Sequence, residues 1–140
     1  MIEIEPGSIS LLNSPLTPQA PTIDVGTVRV TGEIVDSKCY LGVMNPGNGK
    51  VHRDCAARCI SGGIAPIFVS MDGEQQFLLV GPDGDAIAPD TLREFVAEPI
   101  TVRGEQLQKE GSRLLRVDVR ELHHTPHKIE SAQRASNSRK

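Results

Sequence analysis

The sequence predicts a small, mainly β domain: a five-stranded Greek-key barrel of the OB-like type with a Cys/His-bearing helical insert and one further short helix. Three observations predict it. Five short segments are rich in Val, Ile, Leu and Phe, as half-buried strands are. Breaks rich in Gly, Pro, Asp and Asn separate them, drawn from 13 Gly and 10 Pro in 140 residues. One helical segment stands before the fourth strand, an order that fits such a barrel. A general five-stranded β-barrel and an open α+β sheet are the alternatives. The chain shows no internal repeat.

Residues 1–25 contain Pro6, Pro15, Pro18 and Pro21 and no period of 2 or 3.6. They read as a disordered leader or linker, and the barrel domain spans 26–121. Residues 27–35 alternate apolar and polar positions, the pattern of a strand with one buried face. Gly32 inside it marks a bulge or sharp bend. Residues 36–65 form the insert. It holds a loop at Asn45-Pro46-Gly47-Asn48-Gly49 and a short helix over 51–60, which Ser61-Gly62-Gly63 ends. Residues 66–71 and 76–80 are the next strands, joined through the turn residues Asp72-Gly73. Residues 89–96 suit a short amphipathic helix, with Asp90 as the N-cap and Leu92, Phe95 and Val96 on its apolar side. Residues 100–105 and 114–119 are the last strands, separated by a polar turn around Lys109-Glu110-Gly111. Residues 122–140 lose all pattern and read as a disordered basic tail.

Charge and composition exclude several functions. The net charge is −3, but residues 122–140 hold four basic groups against one acidic. The rest carries 11 basic against 17 acidic groups, a net −6. An acidic body with 3% aromatic residues and no Trp is not the footprint of a nucleic-acid binder. No apolar run approaches the ~20 residues of a membrane helix. Residues 1–15 have neither a basic start nor an apolar core, so they do not read as a secretion signal. Nucleotide-binding glycine motifs, nucleophile elbows and paired catalytic carboxylates are all missing.

The chemistry concentrates in the insert. All three cysteines, Cys39, Cys55 and Cys59, lie there with His52, in the pattern C-x12-H-x2-C-x3-C. On a helix Cys55 and Cys59 are about 40° apart around the axis, and His52 lies about 20° from Cys59. Cys39, at the end of the first strand, can fold over that face. Three thiolates and one imidazole suit tetrahedral zinc, and thiolates also suit copper(I). Two helical residues seven apart have Cα atoms ~10.5 Å from one another, so the site works best with His52 just before the helix. A disulfide from Cys39 to Cys55 or Cys59 is the rival reading, closing a loop worth ~3 kcal/mol in chain entropy. Inert buried thiols are a third. A reactive thiolate is a fourth, but no orienting residue or oxyanion element accompanies it. Asp36 reads as a strand-end turn former or as an acceptor orienting His52. Arg53 and Arg58 read as solvated helix residues, Arg53 alternatively as a cation beside a cysteine, and Tyr40 as a core or rim residue. His123, His124 and His127 read as surface residues.

Val30 to Pro66 resembles a group of small uncharacterised bacterial envelope proteins. The resemblance rests on Gly32-x-Ile34-Val35-Asp36-Ser37-Lys38-Cys39, His52-x2-Cys55-Ala56-x2-Cys59-Ile60 and Gly62-Gly63-x2-Pro66, and continues more weakly to about residue 120. It implies a bacterial periplasmic or membrane-associated setting, although no export signal or anchor is visible, which leaves a cytoplasmic setting open. It supports the unity of the Cys/His site without identifying a ligand. The expected function is therefore non-enzymatic: an envelope-associated barrel with a zinc or copper site at Cys39, His52, Cys55 and Cys59, structural or metal-handling. The alternative is a disulfide-stapled adaptor docking on a membrane or redox complex.

Overall fold

The computed structural model describes residues 20–125. Among these residues there are six strands: β1 (Ile23–Asp36), β2 (Pro66–Ser70), β3 (Gln76–Val80), β4 (Ile100–Lys109), β5 (Ser112–Arg116) and the two-residue β6 (His123–His124). The helices are α1 (Arg53–Ser61) and α2 (Pro89–Leu92). The hydrogen-bonded order is β1-β2-β3-β5-β4, and β1 also pairs with β4, which closes a five-stranded barrel. All pairings between these five are antiparallel except β3 with β5. Closure leaves no open edge among them, the device by which a small sheet avoids edge-to-edge association. The OB-like prediction therefore stands.

β1 makes closure possible because it serves two neighbours. Its first part, from Ile23 to Gly32, pairs with β4, and its last part, from Gly32 to Asp36, pairs with β2. Gly32 is the hand-over point, in register with both Ser70 and Ile100. A Cβ at this position would overlap the Val69 carbonyl oxygen, so glycine is required by backbone approach. Of the bulge or sharp bend expected at Gly32, the bulge lies instead between Asp24 and Gly26.

The interior is built by alternation. Ile34, Phe68, Phe77, Leu79, Ile100, Val102 and Leu115 fill the barrel, and Val28 and Val30 pack against them. Val35, Ile67 and Val69, of opposite parity, form a smaller cluster outside, covered in part by Tyr40. Tyr40 is thus a rim residue. Ala56 and Ile60 of α1 join the main cluster, so this helix packs onto the core.

Several boundaries differ from expectation, among them those of β4, which runs on to Lys109, and β5, which spans Ser112–Arg116. The strand begins at Ile23, inside the segment read as leader, because Ile23 and Asp24 pair with Gln108 and Leu107 of the extended β4. The second helix stops at Leu92. Val96 forms a parallel bridge with Ile34, and the Ala97 amide donates to the Ile34 carbonyl, so the barrel wall captures these residues. Ala88, not Asp90, occupies the N-cap, with Pro89 opening the helix. The segment read as tail begins folded: Leu122 is buried, His123 and His124 pair with Thr101 and Ile100, and His124 stacks on Phe95 at 5.1 Å. His127 and residues 126–140 lie outside the described residues, as do residues 1–19. The β4–β5 hairpin turns at Glu110 and Gly111, both at positive φ, the primed-turn geometry that follows strand twist. Among the described residues no helix is long and apolar enough to cross a membrane.

Candidate metal centre

The last residue of β1 organises the site. Asp36 has the parity of Ile34 and is fully buried. Its Oδ1 accepts the Cys39 backbone N–H at 2.8 Å, three residues on, which turns the chain sharply and holds Cys39 against the barrel. Its Oδ2 lies 3.0 Å from His52 Nε2. The two sequence readings of Asp36, turn former and histidine partner, are both realised by its separate oxygens.

The insert is tied down at its base and in its loop. The Ser37 amide donates to the Ala65 carbonyl, and the Gly49 amide donates to Glu33 Oε2 of β1 at 2.8 Å. Gly47 lies so close to Tyr40 that a Cβ would fall 2.6 Å from the Tyr40 Cα. Residues Lys50–His52 form a single 3-10 turn, and α1 follows at Arg53. His52 therefore stands just before the helix, the placement that the sequence argument requires. Arg53 pairs with Glu98 at 2.9 Å and fixes the start of α1 to the segment before β4. Arg53 is thus engaged away from the cysteines rather than simply solvated, while Arg58 is exposed. With Arg93 they line an open cleft of about 710 Å³ beside α1.

His52 is 2% exposed and Cys39 4%. Cys55 is exposed and Cys59 half-buried. The ligand atoms fall into two sets of three, each mutually within 4.8 Å: Cys39, His52 and Cys55, and Asp36, Cys39 and Cys59. The four predicted ligands thus gather around Cys39 as two sets rather than one set of four. Asp36 is the member that sequence reasoning did not place among the ligands; its position immediately before Ser37-Lys38-Cys39 was the available hint.

The Cys39 and Cys55 sulfurs are 3.9 Å apart. Two thiolates bound to one tetrahedral zinc at about 2.3 Å stand about 3.8 Å from each other, so this spacing fits a shared ion. A disulfide needs about 2.05 Å. All three cysteines are free thiols, so the bridge from Cys39 to Cys55 or Cys59 is not formed here. The Asp36 carboxylate, by accepting from Nε2–H, leaves the His52 Nδ1 lone pair for a metal, the carboxylate–histidine arrangement that orients imidazole ligands.

Electrostatics point the same way. Burial, with the adjacent Asp36 and Cys55, pushes the Cys39 thiol up to about 12. Burial and the Asp36 charge also raise Cys59. An activated nucleophile needs the opposite shift. Burial alone would raise Asp36, but the Cys39 N–H and His52 outweigh it and hold the carboxyl below its usual range. A metal ion that bonds to the sulfurs would displace these protons and hold the cysteines as thiolates.

No family model, curated protein or solved structure matches this chain.

Proposed function

We propose that this chain is a non-enzymatic metal-binding barrel domain of the bacterial envelope. Cys39, His52 and Cys55 hold a zinc or copper(I) ion, with Cys59 adjoining through Cys39. The observation that carries the reading is the 3.9 Å sulfur pair beside a buried histidine already oriented by a carboxylate. A three-ligand set leaves a coordination position open, and Cys55 is exposed. This favours metal handling over a closed structural site. The envelope setting, and docking on a membrane-associated complex, are supported by the resemblance of the stretch from Val30 to Pro66. The acidic body supports no nucleic-acid partner.

The test is native mass spectrometry of protein purified without chelator or nickel resin, with zinc and copper(I) added separately. The expected result is bound metal, three alkylatable cysteines after unfolding, and loss of binding in Cys39→Ser. A folded chain that takes up neither ion, with two of its cysteines protected from alkylation after unfolding, would sink the proposal and leave the stapled-adaptor reading.

A further inference from the structure

The arrangement around Cys39 bears on how many ions the cluster takes. Its sulfur is the one atom common to both ligand sets. Cys55 and Cys59 are one helical turn apart on α1, a rise of about 6 Å, and belong to different sets. Thiolates bridge two metal ions readily because sulfur has more than one lone pair to give. Asp36 retains capacity as well. A carboxylate offers about four lone-pair positions. Two are taken, by the Cys39 N–H and by His52.

The charge is compatible with a second ion. Three metal-bound thiolates and the Asp36 carboxylate carry four negative charges, which two divalent ions neutralise. Cys39 and Asp36 are buried and Cys59 half-buried, where such neutralisation matters.

We infer that the cluster binds two divalent zinc ions bridged by the Cys39 thiolate, one completed by His52 and Cys55 and the other by Asp36 and Cys59. This rests on the metal-binding reading above and extends it to a second position. Each cysteine proton is released to buffer as its ion binds, and no oxidation or reduction is involved.

The experiment counts zinc ions per full-length chain that resist a chromophoric competing chelator, by native mass spectrometry and metal analysis. The expected count is two in the parent, one in Cys59→Ser, one in Cys55→Ser and none in Cys39→Ser. Circular dichroism checks that each variant folds. If Cys39→Ser does not fold, the two outer variants decide, because each must keep one ion. A parent count of one overturns the second position but leaves the metal-binding reading intact. A count of zero overturns both. A zinc that survives in folded Cys39→Ser is held without the bridging thiolate and overturns the bridge.

Discussion

Replacing Asp36 by Asn changes one oxygen to an amide and tests the site's central hydrogen bonds. The remaining carbonyl can still accept the Cys39 N–H, which now stands at 2.8 Å. The new NH2 group faces His52 and can only donate to it. His52 Nε2 must then accept, which moves its proton to Nδ1 and removes the lone pair meant for the metal. In apo protein the loss is one hydrogen bond to a charged acceptor, worth about 1.5–3 kcal/mol. We expect about 2 kcal/mol of destabilisation, or a Tm lower by about 10 °C for a domain of this size. Because Asp36 is held below its usual range, its contribution is fully present above about pH 4 and fades as pH falls through its folded value. The parent–variant gap should therefore shrink in acid. Zinc affinity, measured in a Cys59→Ser background that keeps only the Cys39–His52–Cys55 set, should fall about 10- to 100-fold. The assays are urea unfolding with chelator at pH 7 and pH 3, and zinc competition at pH 7. An affinity within threefold of the background, or a gap that widens in acid, would refute the reasoning.

Further expectations follow from the same geometry. In the folded, metal-free chain, iodoacetamide should label exposed Cys55 first, half-buried Cys59 next and Cys39 last, as read by peptide mass spectrometry; fastest labelling of Cys39 would contradict its burial. Zinc must displace the Cys39 proton, bound up to about 12, so apparent affinity should rise with pH by at least about tenfold per unit between pH 6 and 8. A flat titration would mean that Cys39 is not a ligand. Gly32→Ala should cost about 3 kcal/mol or prevent folding, because the added methyl meets the Val69 carbonyl at the hand-over point of β1; chemical denaturation measures it. Arg53→Ala should cost little stability, about 0.5 kcal/mol, since its ion pair with Glu98 is partly exposed.

Much of the fold was legible because its causes are local. Alternation over residues 27–35 placed Ile34 inward, Asp72-Gly73 marked a turn, and Gly62-Gly63 ended α1. Where local pattern failed, a distant partner had intervened. Phe95 and Val96 fit a helical stripe, yet Val96 is bridged to Ile34 instead. Leu122 to His124 had no pattern to read, and they are ordered by β4 and by the Phe95 ring. The site divides in the same manner. Cys55 and Cys59 were recognisable from spacing on one helix, and His52 from its place just before it. The double role of Asp36 was not, because its bond to His52 spans sixteen residues and a folded insert.

The sequence by itself determined which segments can be strands and helices, where the chain turns, and that sulfur and imidazole are confined to one insert. These are matters of side-chain period, backbone freedom and composition, acting over a few residues. Only the tertiary structure decided that β1 serves two neighbours, that β3 and β5 run parallel, and that Cys39 stands between two ligand sets with Asp36 beneath them. Those outcomes depend on closing the barrel and packing α1 onto it, so that residues far apart in sequence share one buried volume. No short-range preference encodes which of them will meet.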